Sequence, residues 1–254
     1  MPDITVVFTH WKRPENLKLI IEQIRTQTLY PKIFLWNNGG DFDCAGIDWR
    51  IDSSFNAITW GRWFMASMAQ TEYVAVMDDD LVFTDSNVLK DAVDFLRNKN
   101  ENMIIGPFGV NLRDDFSEYC FCSRFSSQAG KDQYVDMILG RLMIMRTKAL
   151  KNLHLIPGWH KKVLLGDDLV VSAMMARGKG RFHCVPTLFN KCLKELPCPF
   201  ASSSSSDHFV LRDEVRRDFF RPNLFEKVGA VCKLFRKSFL KILRLLKCGI
   251  GQKK

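Results

Sequence analysis

The chain has 254 residues, a hydrophobic fraction of 46% and a formal net charge of +9, which excludes a disordered polyelectrolyte and leaves room for one large α/β domain, alone or with an appendage. It opens on no charged segment followed by an apolar stretch, and it holds no uninterrupted apolar run long enough to cross a bilayer, so neither secretion nor membrane spanning is expected. The eight cysteines (44, 120, 122, 184, 192, 198, 232 and 248) form no CxxC pair and read as reduced thiols. Cys184, Cys192 and Cys198 beside His183 fit no common zinc spacing.

In chain order, Ile4-Thr5-Val6-Val7-Phe8 reads as a buried strand and Thr9-His10-Trp11-Lys12-Arg13 as the loop after it. Pro14 suits the first turn of a helix whose apolar stripe is Leu17, Ile20, Ile21 and Ile24. Residues 33–36 form a second strand ending at Asn37-Asn38-Gly39-Gly40, a turn whose side-chain amides could read a ligand. A loop through Asp48 and Asp52 leads to Asn56 and then to a helix over 61–69 with Arg62 in its first turn. A cation there opposes the helix dipole, and a nearby anion would explain it.

The rest is organised around Tyr73-Val74-Ala75-Val76-Met77-Asp78-Asp79-Asp80-Leu81-Val82-Phe83, a buried strand running into three carboxylates. Ligand crevices of open α/β sheets lie beyond strand ends, so an Asp-x-Asp there can hold a divalent cation that in turn holds an anionic ligand. Extended-chain alternation would point Asp78 and Asp80 the same way. The plainer reading is that such aspartates form turns and caps. A helix follows Thr84-Asp85-Ser86, burying Val88, Leu89, Ala92, Val93, Phe95 and Leu96. Residues 103–106 read as a strand, 113–134 as short strands and loops, and 136–145 as one long strand whose Gly140 admits a close approach to the backbone. Asp167 and Asp168 open an apolar helical pattern that runs to Arg177 and stops at Gly178. They are ordinary helix-start residues taken alone, and together with the first acidic site a carboxylate pair able to position a hydroxyl nucleophile. Residues 181–185 read as a strand containing His183. Strands alternating with helices, followed by a mixed second half, predict an open, mainly parallel sheet.

Five motifs in register, Val6-Val7-Phe8-Thr9-His10-Trp11-Lys12-Arg13, Leu35-Trp36-Asn37-Asn38, Asn56 with Arg62, Asp78-Asp79-Asp80 and Gly166-Asp167-Asp168, resemble a GT-A glycosyltransferase. More narrowly they are similar to the exostosin-like glycosyltransferases, as is Ser206-Asp207-His208-Phe209-Val210-Leu211-Arg212 with its His and Arg four apart. The resemblance implies a GT-A α/β fold of mixed sheet flanked by helices, and a metal-dependent transfer of sugar from a nucleotide-diphosphate donor, by family a UDP-sugar, to a glycan or glycolipid. It implies Mn²⁺ or Mg²⁺ held by Asp80 directly, with Asp78 nearer the ribose or touching the metal through water, and with His208 or His183 completing the surroundings. Thr9, Arg13, Asn38, Asn56, Arg62, Asp78 and Asp79 would line the donor pocket, and Arg212 would meet the diphosphate. Asp168, with Asp167 beside it, would be the acceptor-side carboxylate: a general base in an inverting enzyme, an orienting group in a retaining one.

From Phe225 on, nine basic residues against Glu226 give +8 and leave +1 for the body. Phe225, Val228, Val231, Leu234, Phe235, Phe239, Ile242 and Leu246 interleave with them at helical spacing. This divides the chain into a GT-A domain over 1–222 and a basic amphipathic helix over 223–254, expected to lie on an anionic membrane at the cytoplasmic face. Apolar bulk beside the charge argues against nucleic acid as its partner. The serine run at 202–206 reads as a connector or as a lid ordered by the donor. The competing functions are an idle sugar-nucleotide-binding scaffold, against which Asp78, Asp80 and Asp168 speak, and a nucleotidyltransferase, which would place a Gly-rich loop after the first strand.

Overall fold

The computed structural model describes residues 3–40, 42, 44–112, 123–150, 166–177, 179–198, 210, 212 and 215. The serine run, His208, Gly178 and the 223–254 helix lie outside the described residues. Twelve strands and four α-helices follow one another as β1 (Ile4–His10), α1 (Pro14–Arg25), β2 (Lys32–Asn37), β3 (Trp49–Asp52), α2 (Trp60–Ser67), β4 (Tyr73–Met77), β5 (Leu81–Phe83), α3 (Val88–Arg97), β6 (Phe108–Asn111), β7 (Ser123–Ser126), β8 (Gln133–Val135), β9 (Met137–Ile138), β10 (Leu142–Arg146), α4 (Asp167–Ala176), β11 (His183–Val185) and β12 (Leu193–Glu195) among the described residues.

The main sheet has strand order β10-β4-β1-β2-β3. β4, β1, β2 and β3 are mutually parallel, and β10 closes the edge antiparallel to β4. Its strands are apolar on both faces, and strict alternation divides them between two cores. Ile4, Val6 and Phe8 of β1, Tyr73, Ala75 and Met77 of β4, and Leu142 and Ile144 of β10 meet α1 and α3. Val7, Val74, Val76, Met143 and Met145 face the other way, against Trp60, Trp63, Met65 and Ala66 of α2 and Leu169, Val170 and Val171 of α4. A helix–sheet–helix sandwich results.

The chain builds β2 and β3 on one side of β1 and β4 on the other. The loops leaving the carboxyl ends of β1 and β4 therefore diverge, and the crevice between them is where an open α/β sheet takes its ligands. His10–Arg13 and Asp78–Asp80 stand at those two ends.

Gly61 sets how closely α2 approaches the sheet. A Cβ there would fall 2.2 Å from Cγ of Trp36 on β2, and an indole wedged between a strand and a helix cannot retreat without moving both. Gly61→Ala is expected to lower stability by about 1–3 kcal/mol, read as a drop in the urea midpoint at unchanged m-value, and to displace the neighbouring Arg62.

Several sequence expectations need correction. The 48–52 stretch, read as loop, contains β3, an edge strand too short and too half-buried to show alternation. The strand expected over 103–106 is a single bridge residue, Ile105, which pairs with Ile144 and with Cys184. The long strand expected over 136–145 is two strands in different sheets. Asp136 leaves the ladder to accept from the N–H groups of Leu112 at 2.8 Å and Arg181 at 2.6 Å, and the chain then turns at Gly140–Arg141. Of the 181–185 strand only residues from His183 on are extended.

A candidate active site of paired aspartates and arginines

The acidic stretch does not continue β4 in extended form. After Met77 the chain turns at Asp79–Asp80 before β5 begins, so alternation does not set the carboxylate directions, and each finds its own arginine. Asp79 accepts from Arg13 and, at 3.0 Å, from the Trp11 N–H, both on the loop after β1. Asp78 accepts from Arg62 of α2. Asp80 faces Arg141, whose guanidinium lies 3.5 Å from Oδ1. Asn16 of α1 ties the Asp79 carbonyl to that of Pro197, each at 3.0 Å.

Arg62 joins the two acidic motifs. Its side chain is 3% exposed and reaches Asp78 with one amino group and Asp167 Oδ2, at 2.9 Å, with the other. Despite the opposing effect of burial, these two carboxylates hold its pKa above the usual arginine value. The anion that a cation in the first turn of α2 called for is thus the protein's own. Asp167 also accepts from Trp63 Nε1 at 2.6 Å. Burial pushes its carboxyl upward, but Arg62, the indole N–H and Arg212 outweigh it and hold the pKa below the ordinary range. Asp78 goes the other way: burial, aided by the neighbouring Asp80 and opposed by Arg62, pushes it up to about 6.

Asp168 is saturated. Arg212 donates to both oxygens, at 2.7 and 2.9 Å, while Leu169 N–H donates to Oδ1 at 2.9 Å and Gly140 N–H to Oδ2 at 3.0 Å. Four donors fill its lone pairs. The carboxylate expected on the acceptor side at Asp168 is, in this structure, paired with Arg212. Gly140 earns its place here: a Cβ would stand 3.1 Å from Arg62 Nη2 and 3.3 Å from Asp168 Cβ.

Other expected donor residues make structural contacts. Asn38 Oδ1 accepts from Trp36 Nε1 at 3.0 Å and Ala57 N–H at 2.8 Å while its Nδ2 donates to the Ile58 carbonyl at 2.9 Å. Asn56 is exposed and accepts from Ile58 N–H at 2.7 Å. Together they hold Ile58, a β-branched residue at φ +53°. Thr9 Oγ1, His10 Nδ1 and Arg13 Nε, by contrast, are buried polar atoms without a hydrogen-bond partner among the described residues, all within the five consecutive residues that end β1 and begin the loop after it. They are three of the eight such atoms among the described residues.

His183 cannot be a metal ligand in this arrangement. It is fully buried, Nδ1 accepts from Ile104 N–H at 3.1 Å, and Nε2 therefore donates to the Ser172 carbonyl at 2.9 Å. Burial drives it down to about 4, the Ser172 contact opposing. His10 is lowered to about 4 by burial and by Arg50 and Arg13. The unfolded chain takes up these protons near pH 6.5 and the folded one only near 4, so their stabilisation is complete above 6.5 and lost as pH falls towards 4. The unfolding free energy is expected to drop by about 3 kcal/mol for His183 across that window, with less from the more solvent-screened His10 and a shallower slope in His183→Gln, as measured by urea unfolding at successive pH values. Burial likewise raises the Cys184 and Cys192 thiols to about 12, so both are protonated core residues.

Arg141 and Glu195 escaped the sequence reading. Arg141 follows the unpredicted turn, and Glu195 lies on β12, paired to β5 beside the acidic triplet. Neither carries a local signal.

The sequence matches no protein-family model and no curated protein. Similar solved structures exist. A mannosyltransferase of Pyrobaculum calidifontis, in complex with GDP-Man and Mn²⁺, superposes with a TM-score of 0.57 at 14% identity, covering 91% of this chain and 68% of that one. Residues 1–349 of S. aureus TarS in complex with UDP-GlcNAc give 0.57 at 12% identity, covering 80% of this chain and 61% of that one; the same fragment with UDP gives 0.54. This chain thus spans about two thirds of the length of these proteins or somewhat less. At such identity the likeness shows the fold: a parallel-dominant sheet flanked by helices, as in glycosyltransferases that bind nucleotide sugars.

Proposed function

We propose that the protein transfers a sugar from a nucleotide-diphosphate donor to a glycan or lipid-linked glycan, with a divalent cation. The observation that carries this reading is the convergence, at the switch-point crevice of a glycosyltransferase fold, of five aspartates with four arginines: Asp78, Asp79, Asp80, Asp167 and Asp168 with Arg13, Arg62, Arg141 and Arg212. Transfer breaks the anomeric carbon–oxygen bond and leaves a diphosphate, so fixed positive charge aimed at that group lowers the barrier.

Among the described residues no three His, Cys, Asp or Glu side chains are grouped as a ready-made metal site, so any cation site here centres on Asp80. Its Oδ1 is buried, 3.5 Å from Arg141 and without a hydrogen-bond partner among the described residues, which leaves an oxygen suited to a hard cation. Asp80 would hold Mn²⁺ or Mg²⁺, with Asp78 beside it, and the ion would supply positive charge to the departing diphosphate. The orphaned groups of Thr9, His10 and Arg13 would meet the nucleotide, Arg212 would be aimed by Asp168, and Arg62 would keep the two acidic motifs in register. The narrower exostosin-like affinity, and uridine as the base, rest on the sequence motifs. The +8 segment 225–254 supports a membrane-borne acceptor at the cytoplasmic face; its removal should release the protein from anionic liposomes and spare donor hydrolysis.

The test is thermal stability against nucleoside diphosphates and their sugars, with Mn²⁺, with Mg²⁺ and with EDTA, in wild type and Asp80→Ala. A ligand at 100 times its Kd stabilises the native state by about 2.7 kcal/mol. A metal-dependent shift with one nucleotide, abolished in Asp80→Ala, is expected. Absence of any shift in folded protein would sink the donor site and favour the scaffold reading.

A further inference from the structure

Arg141 is the one arginine of the described cluster whose purpose the sugar-transfer reading leaves unexplained. It sits on the Gly140–Arg141 turn between β9 and β10, and its carbonyl accepts from the Asp78 N–H at 3.0 Å, so the turn is fastened to the acidic stretch. Its guanidinium rests over the Phe108 ring, 5.5 Å from the centroid. It is held from outside by Glu195 and lies 3.5 Å from Asp80 Oδ1. That separation neutralises charge but is too long for a useful hydrogen bond, and Oδ1 is buried without a hydrogen-bond partner among the described residues. Arg141 thus covers the carboxylate oxygen best suited to a metal while leaving its coordinating capacity unspent. The side chain itself is 28% exposed and Glu195 67% exposed, so this guanidinium, unlike the 3% exposed Arg62, has somewhere to go.

We propose that Arg141 is a tethered counterion that occupies the cation's place at Asp80 in the empty enzyme. It swings away on a hinge at Glu195 when the divalent ion enters, and the released guanidinium then faces the donor diphosphate. The proposal rests on the cation-assisted reading above and deepens it, giving one residue opposite effects on two ligands. Two like charges cannot share Asp80 at close range, so Arg141 disfavours the bare ion; once a diphosphate is present, the same positive charge favours the complex.

The experiment is Mn²⁺ binding to the full chain without nucleotide, followed by the electron paramagnetic resonance signal of free Mn²⁺, and then UDP and GDP binding by calorimetry at saturating Mn²⁺. Arg141→Gln is expected to bind Mn²⁺ about tenfold more tightly and to bind whichever diphosphate the wild type accepts about tenfold more weakly. Arg141→Lys, which keeps the charge, should stay near wild type in both. Glu195→Gln, a change at an exposed position, is expected to weaken Mn²⁺ binding severalfold by leaving Arg141 on Asp80, and to have no further effect in Arg141→Gln protein. Unaltered Mn²⁺ affinity in Arg141→Gln protein with a wild-type urea midpoint would overturn the counterion role and leave the proposed function standing. A lack of Mn²⁺ binding in wild type and variants alike would overturn the counterion role, and the proposed function would fall with it only if the nucleotide-dependent thermal shift were absent as well.

Discussion

Arg62→Met is expected to lower the unfolding free energy by about 3–5 kcal/mol, the usual cost of removing one partner from a buried ion pair. The guanidinium is 3% exposed and serves Asp78 and Asp167 at once. Methionine fills much of the same volume but leaves two carboxylates facing each other with less compensating charge. The loss should shrink as pH falls through about 6, where Asp78 takes up a proton and a neutral carboxyl no longer needs a counterion. Urea unfolding at pH 8 and pH 5.5 measures both parts. A cost below about 1 kcal/mol at pH 8 would put this pair among solvated surface bridges. Arg62→Lys should fall between, because an ammonium cannot span two carboxylates as a guanidinium does.

Asp168→Asn should, on the proposed function, reduce turnover by about 10²–10³, the range associated with losing one fixed electrostatic contact to a developing charge. The predicted route runs through Arg212, since the Asp168 oxygens are occupied by Arg212, Leu169 N–H and Gly140 N–H. Arg212→Lys should therefore cause a comparable loss, and the double variant should be little worse than either single one. Were Asp168 instead a general base, Arg212→Lys would leave most of the turnover intact and Asp168→Asn would remove one limb of the pH–rate profile. The cycle separates an orienting aspartate from a proton acceptor.

Residues 62, 78, 167 and 168 come from three separate elements, and the ion pairs join α2, the end of β4 and the start of α4 across the mouth of one sheet. Glycine at 140 lets the turn into β10 enter the same cluster. On the proposed function, such fixed charge is what electrostatic stabilisation of a transition state requires.

Sequence by itself determined the elements whose signal is local. α1 and α3 were legible from their apolar stripes, β1, β2 and β4 from β-branched apolar runs, and α4 from the aspartates ahead of its apolar pattern. The parallel-dominant sheet followed from their order, and so did the position of Asp78–Asp80 at the carboxyl end of β4, because a strand's carboxyl end is fixed once the strand is. Tertiary structure alone decided how the charges are paired. Arg62 and Asp167 lie 105 positions apart, and no spacing rule relates them. It also decided that His183 faces Ile104 and Ser172 inside the core, that Asn38 and Asn56 hold the backbone before α2, and that residues 136–145 break at Gly140–Arg141. The physical reason is common to these cases. Periodicity reports only whether a residue faces a core. The partner of a polar atom in that core is set by which distant element packs there, and a short edge strand such as β3 buries too little to show a pattern at all.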